Sequence, residues 1–172
     1  MELNQIQSLE GWRLLESDVS KTYTLQTSVF NTEGIRITDS KNWSNKLCPA
    51  IKSLDKGQTF ICAVAHMNMS NQAMQTKKYI IDECDAGLLK VVVPIFLNDE
   101  YLGVISGCGL LAEEGEVDVF AINKISGMDE QEIEHLSSDM PTITYKKARS
   151  ACDYIQKKLD AILDHYKNPA KL

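Results

Sequence analysis

Cysteine is the residue type in this 172-residue chain with the widest range of possible chemistry, and the chain has five cysteines. Four of them are Cys48, Cys62, Cys84 and Cys108. Thiolates are soft ligands, and four of them can hold an iron–sulfur cluster such as a 4Fe–4S cubane, or a tetrahedral metal ion such as zinc. None of the cysteines forms a C-x-x-C pair, so spacing alone does not separate a metal site from inert buried thiols.

The local context of these cysteines indicates the wall of a pocket. Cys48 precedes Pro49, Cys84 precedes the turn 85–87, and Cys108 lies between two glycines near the end of an apolar run. An odd number of cysteines without a secretion signal argues against a disulfide framework. We therefore predict reduced thiols in a cytoplasmic protein.

A second motif could serve nucleotide chemistry. Residues 107–112 read Gly-Cys-Gly-Leu-Leu-Ala and match the dinucleotide fingerprint G-x-G-x-x-[GA]. The fingerprint also needs a helix that opens at the glycines, but Gly115 and three glutamates follow closely. A nucleotide-binding protein or enzyme that uses Gly107 and Gly109 stays open as an alternative. The alternative prediction for this motif is that its small residues allow two parts of the backbone to approach each other closely.

Composition excludes several partners. The net charge of −6 does not provide the clustered basic surface that nucleic acids or anionic membranes need. The longest apolar stretch, residues 88–97, is interrupted by Lys90 and Pro94 and is far shorter than the roughly 20 residues of a membrane span. No nucleophile stands beside a plausible base in a recognisable motif, so we predict that the chain is not an enzyme.

Hydrophobic patterning predicts an α+β architecture. Residues 1–20 are predicted to be helical, and 24–30 and 35–38 to form a hairpin around Gly34. Residues 88–96 and 101–108 are two buried strands joined by a short turn, and 43–82 are predicted to hold short helices and loops. A short strand or helix within 117–125 and a short acidic helix over 128–136 follow, and Pro141 ends the latter.

The last element is a helix from Tyr145 to Lys167 whose apolar residues recur at spacings of four and three. These residues are Ala148, Cys152, Ile155, Leu159, Ile162 and Tyr166. The seam fits a helix that packs on its own sheet. It fits a parallel homodimer helix that passes a signal onward equally well.

The residues named so far carry a family resemblance. The chain resembles the PocR sensory domain in a set of short segments: Cys48, Cys62, 84–88 (Cys-Asp-Ala-Gly-Leu), 93–95 (Val-Pro-Ile), 101–103 (Tyr-Leu-Gly), 106–107 (Ser-Gly), 129–133 and Met140-Pro141. The resemblance covers roughly residues 10–165. It implies a PAS-like antiparallel sheet with flanking helices and an internal pocket. It also implies a small-molecule ligand, such as a diol, and an output domain such as a histidine kinase, a chemoreceptor signalling domain or a DNA-binding domain.

Two positions depart from the pattern of that family. Asp85 stands where the family usually has a histidine, and Cys108 stands where it often has a glutamine. The first change removes an imidazole and the second adds a thiol. The polar pocket of a diol-binding domain is thereby put in question, and the site moves towards four sulfur ligands.

The sequence therefore predicts three segments: an N-terminal helix (1–20), a PAS-like sensory domain (21–144) and a heptad-patterned signalling helix (145–172). The first functional hypothesis is an iron–sulfur cluster on Cys48, Cys62, Cys84 and Cys108 that senses oxygen or redox state. The second is a small organic ligand. Its predicted pocket residues, besides the thiols, are His66, Asp85, Val92 and Ile105. The third is the nucleotide-binding protein or enzyme described above.

Overall fold

Two long strands form the centre of the sheet, as their apolar runs predict. In the computed structural model, which describes residues 1–169, β3 (Leu89–Leu97) and β4 (Glu100–Ala112) pair antiparallel. The two residues between them, Asn98 and Asp99, have φ of 48° and 67°, the left-handed conformation that a tight two-residue hairpin turn requires. The last three residues of the predicted segment 145–172 lie outside the described part of the chain.

The complete sheet has five strands. Four follow the order β1-β4-β3-β2 with antiparallel pairing, and β5 pairs parallel with the end of β4. The strands are β1 (Gln26–Phe30), β2 (Ile80–Glu83), β3 (Leu89–Leu97), β4 (Glu100–Ala112) and β5 (Thr142–Ile143). The predicted α+β fold with a mainly antiparallel sheet is confirmed.

The predicted hairpin over 24–38 forms only in part. The backbone N–H of Asn31 donates to the carbonyl of Ile35, and that of Ile37 donates to the carbonyl of Val29. β1 lies along β4, in a register that joins Gln26 to Cys108 and Phe30 to Val104. Residues 35–38 contribute only one bridge, between Phe30 and Arg36, and otherwise form an irregular segment. On its other edge β1 has five consecutive partners in β4, so its regular pairing is with that strand. The strand β2 was also not predicted within 43–82.

One face of the sheet is covered by three helices, α1 (Leu3–Ile6), α2 (Leu9–Tyr23) and α8 (Tyr145–Lys167). They bury the main hydrophobic core of the molecule against β3 and β4. Trp12, Val93 and Leu159 are fully buried in this core, and the indole Nε1 of Trp12 donates to the carbonyl of Leu3 at 3.0 Å. We call this face of the sheet the core face.

The helices predicted within 43–82 are present, and they cover the other side of the sheet. They are α3 (Leu47–Ser53), α4 (Asp55–Gly57), a π-helical turn (Gln58–Ala63) and α5 (Val64–Thr76). Met69 and Ala73 of α5 pack on Val92 and Val104 of the sheet. Two short helices, α6 (Val119–Ser126) and α7 (Glu130–Ser137), join α3 and the π-helical turn in a small cluster around Leu88, beside the start of β3.

The helix α8 has the predicted bounds, and its seam is buried inside this chain. Ala148, Cys152, Ile155 and Leu159 all pack in the main core against the sheet and α2. The outward positions of α8 are mostly charged or polar. In the structure the helix therefore packs on its own sheet, and the homodimer remains a prediction. Among the described residues, no helix combines the length and hydrophobicity that crossing a bilayer requires.

Candidate functional site

A row of polar side chains lies on the side of the sheet opposite the core face. In the strand register Gln26 stands opposite Cys108, which stands opposite Lys90, and Ser28 stands opposite Ser106. Side chains that face each other across antiparallel strands lie on the same face, since successive residues alternate between faces. We call this surface, defined by Gln26, Ser28, Lys90, Ser106 and Cys108, the polar face.

Most of the polar face is buried. Gln26 and Ser106 are each 2% exposed and Lys90 is 7% exposed, while the thiol of Cys108 is half-buried. Burying a polar group costs free energy unless it finds a hydrogen-bond partner, and lysine is rarely buried without a counter-charge. Hydrophobic burial alone therefore does not explain the choice of residues here.

Several polar atoms at this face have no hydrogen-bond partner among the described residues. They are Oε1 and Nε2 of Gln26, Oγ of Ser106, Nδ1 of His66 and Nε of Arg36. One further atom of this kind, Nε2 of Gln7, belongs to the N-terminal segment. Buried polar groups are almost always bonded to protein, water or ligand, so a concentration of unpartnered atoms at one face indicates a binding site.

His66 projects from α5 and is 5% exposed. Its ring stacks on Phe30 of β1 with centroids 3.9 Å apart, and its Nε2 lies 3.5 Å from the hydroxyl of Ser70. Burial, followed by the nearby cations Lys90, Lys52 and Arg36, lowers the pKa of His66 from 6.5 to about 3. The imidazole is therefore neutral near pH 7.

The charged groups that act on His66 are all cations. Arg36 donates a guanidinium N–H to Ser28 Oγ and stands 6.0 Å from the centroid of the Phe30 ring. Lys52 of α3 lies 5.4 Å above the ring of Trp43. Lys90 makes no ion pair within the described residues. The polar face and its surroundings thus form a largely buried, positively charged environment.

The four candidate metal-binding cysteines come from four different elements. Cys48 lies in α3, Cys62 in the π-helical turn, Cys84 directly after β2, and Cys108 in β4. All four are half-buried free thiols, and they lie within electrostatic reach of one another. The fold therefore gathers these residues, beside the polar face.

The surroundings of Cys48, Cys62 and Cys84 favour the neutral thiol. Burial raises the pKa of Cys48 and Cys84 above the ordinary thiol value, and it raises that of Cys62 to about 11. The side chain of Asn45 donates to Cys48 Sγ at 3.2 Å and to the carbonyl of Gly109 at 2.7 Å, which ties α3 to β4. Within residues 1–169, no three or more His, Cys, Asp and Glu side chains are arranged to hold a metal ion.

The predicted ligand residues fall in different places. His66 and Val92 both lie at the polar face, where Val92 packs against α5. Asp85 is exposed in the turn between β2 and β3. Ile105 is fully buried in the main core, on the core face, because it differs by an odd number of positions from Ser106 and Cys108 along β4. The structure thus removes Ile105 from the candidate site.

Four residues of the site were not identified from the sequence. Gln26 and Ser106 are ordinary polar residues inside strands, Lys90 is a single charge in an apolar run, and Arg36 lies in the segment predicted as a hairpin strand. A charged residue within a strand that is otherwise apolar was the signal that could have revealed Lys90, because such a charge needs a partner.

The glycine motif does not form a nucleotide-binding turn. Gly107 and Gly109 both lie inside β4, and no helix opens at them. A Cβ on Gly107 would stand 3.1 Å from the side chain of Leu25. Gly109, with φ of 99°, lies where the β3–β4 register shifts and packs against Ser44 and Asn45. The glycines therefore allow close packing, and the nucleotide-binding hypothesis loses its structural support.

The largest surface cavity described is an open groove of about 530 Å³. Its walls are formed by Trp43, Ser44, Asn45, Lys46, Pro49, Asp139 and Pro141. None of the four thiols and none of the unpartnered atoms of the polar face lines it. We place the candidate site at the polar face because buried, unpartnered polar atoms distinguish a binding site better than a solvent-open groove does.

Comparisons with known proteins agree with this architecture. The family model described as "Sensory domain found in PocR" matches residues 6–166. Neither the curated proteins nor the solved structures include a match to the chain. Because the family match spans nearly the whole sequence, from α1 to the last turn of α8, this chain belongs to the PocR sensory-domain family.

Proposed function

We propose that this chain is the input module of a signal-transduction protein and that it binds a small molecule at the polar face. The observation that carries the proposal is the set of buried, unpartnered polar atoms on Gln26, Ser106, His66 and Arg36. A ligand with hydrogen-bonding groups would satisfy these atoms and so stabilise the domain.

The position of the site supports a route for the signal. Lys90 and Val92 face the ligand, while their neighbours Val91 and Val93 on the same strand pack in the main core with α8. A ligand that favours one position of β3 therefore also favours one position of α8. The signal is limited to the difference in affinity between the two arrangements, and an output domain would receive it through α8.

A thermal-shift screen of small polar molecules tests this function. We expect compounds of one class, among diols, alcohols, amines and carboxylic acids, to raise the Tm of the wild-type chain. We expect Ser106→Val to weaken their binding about three- to tenfold, the usual effect of one hydrogen bond. Ser150→Val, at an exposed position of α8, is the matched control and should bind as the wild type does. The proposal fails if nothing stabilises the chain, or if Ser106→Val binds as tightly as the wild type.

A second candidate function rests on the gathering of Cys48, Cys62, Cys84 and Cys108 from four elements. A π-helical turn, such as the one that carries Cys62, is often found at functional sites. These four thiols are the residues that would hold an iron–sulfur cluster, whose chemistry would be a response to oxygen or redox state. Because metal ligands must be deprotonated, binding would release protons. The four thiols are not arranged to hold a metal ion as they stand, so binding would also require them to move.

Spectroscopy of anaerobically purified protein tests the metal hypothesis. We expect broad absorption in the visible region together with bound iron and sulfide. Single serine replacements at the four cysteines should each reduce the metal content, whereas Cys152→Ser should not, because Cys152 is buried in α8 within the main core. A colourless protein, or metal content that the four replacements leave unchanged, would remove this candidate.

A further inference from the structure

The charge around the polar face specifies the chemical class of its ligand. Lysine is seldom buried without a counter-charge. Lys90 is 7% exposed at the centre of the sheet, and none of the ion pairs of the described residues includes it. Asp82 stands opposite Lys90 on the edge strand β2, but its side chain is exposed and accepts instead from the backbone N–H of Glu83 at 2.8 Å.

Two further cations surround the same space. Arg36 has a buried Nε without a partner among the described residues, and its guanidinium is fixed by a bond to Ser28 Oγ. Lys52 of α3 and Lys90 of β3 both act electrostatically on His66 and on Cys62, so both lie near the site. Every charged side chain that acts on His66 is positive, so these surroundings would stabilise a negatively charged group.

The donors at this face suit a planar acid group. Lys90 and the amide of Gln26 flank Cys108 in one row, and the hydroxyl of Ser106 stands in the next row on β4. A carboxylate accepts several hydrogen bonds at once and forms its strongest bonds with charged donors. Beside these donors lie apolar side chains, Val92, Val104 and Phe30, that suit a hydrocarbon body.

We infer that the polar face binds the carboxylate group of a small organic acid, with Lys90 and Arg36 as its charged partners. This inference rests on the proposed function and makes it specific. A neutral diol or alcohol would satisfy Gln26 and Ser106 but leave Lys90 without a counter-charge. The acid supplies the counter-charge that the described residues do not, while its hydrocarbon part packs towards Phe30 and Val104.

Calorimetric titration of the whole chain tests the inference. The probes are acetate, propionate, butyrate and benzoate, the neutral amides of the same acids, and inorganic phosphate and sulfate. We expect at least one carboxylate to bind and its amide to bind far more weakly. Lys90→Met should weaken carboxylate binding about 10- to 100-fold, the cost of losing a charged hydrogen-bond partner.

Two variants of the site and one control variant make the titration interpretable. Lys90→Met keeps the length of the side chain and its apolar surroundings, so the fold should be retained, and Arg36→Gln tests the second cation independently. Lys146→Met removes a charge from an exposed position of α8 and should leave binding unchanged.

Other outcomes would overturn the inference in distinguishable ways. Equal binding of amides and carboxylates, or unchanged carboxylate binding in both Lys90→Met and Arg36→Gln, would refute the acid while leaving a small-molecule sensor in place. If phosphate or sulfate binds and no carboxylate does, the carboxylate inference is wrong and the ligand is an inorganic anion or a phosphate or sulfate group. If no carboxylate binds while a neutral compound stabilises the chain in the thermal screen, only the acid is refuted. If nothing binds in either experiment, the proposed function falls as well.

Discussion

Replacement of Gly103 by alanine is expected to unfold the protein. Gly103 has φ of 140°, a conformation that is essentially restricted to glycine, and a Cβ there would overlap the carbonyl oxygen of Phe30. Because that atom belongs to the backbone of β1, no side-chain rotation relieves the overlap. The strand β1 would have to leave β4, at a cost comparable with the roughly 5–15 kcal/mol that stabilises a typical domain.

Gly127→Ala is the matched control for Gly103→Ala. Gly127 also has positive φ, 77°, but nothing lies within 4 Å of a Cβ built there. We expect it to cost only about 1–2 kcal/mol, the intrinsic strain of a left-handed residue. Far-UV circular dichroism and urea denaturation measure both variants. If Gly103→Ala is destabilised no more than Gly127→Ala, then β1 does not approach β4 as closely as the structure shows.

The second large effect concerns pH and His66. Burial, followed by Lys90, Lys52 and Arg36, lowers the pKa of His66 from 6.5 to about 3. A lowered pKa means that the unfolded chain takes up a proton at a pH where the folded chain does not. The contribution to stability is complete above pH 6.5 and is lost progressively as the pH falls from 6.5 towards 3. Between about pH 7 and pH 5 the loss is about 2 kcal/mol.

Urea denaturation at a series of pH values measures this loss. His66→Phe keeps an aromatic ring against Phe30 and removes the titrating group, so its free energy of unfolding should fall about 2 kcal/mol less than that of the wild type between about pH 7 and pH 5. The control is His135→Gln, since His135 is exposed on α7 and its replacement should leave the wild-type slope. Equal slopes for His66→Phe and the wild type would show that His66 is not held neutral in the folded domain.

The sequence was most informative where structure is local. The hairpin of β3 and β4 depends on two apolar runs and a two-residue turn, all within about 25 residues, and it was predicted correctly. The bounds of α8 followed from its periodicity and are confirmed. The surface on which α8 packs could not be predicted, because apolar spacings of four and three fit packing on a sheet as well as packing on a second helix.

Non-local pairing limited the prediction elsewhere. The turn before Ile35 exists, and Asn31 bonds the backbone N–H of both Glu33 and Ile35, but β1 pairs with β4 far along the chain. No local sequence pattern indicates that β1 pairs with β4. The polar face depends on it as well, because Gln26 reaches Cys108 and Lys90 only in this register.

The candidate site was predicted in part by residue type. The four cysteines were singled out because thiols have distinctive chemistry. They lie near one another, but among the described residues they are not arranged to hold a metal ion, and the metal site stays a prediction. Ile105 was included although the two-residue period of a strand places its side chain on the other face of the sheet from Ser106 and Cys108. Gln26, Ser106 and Arg36 have no distinctive sequence signal, since their importance comes from burial without partners.

The most direct test of ligand binding at the polar face is chemical-shift mapping of backbone amides in the isotopically labelled chain. The titrant is the compound that stabilises the chain most in the thermal screen. We expect the largest shifts at Gln26, Lys90 and Ser106 and along α5. Shifts confined to the open groove around Trp43, Lys46 and Asp139, or no shifts at saturating concentration, would contradict the account.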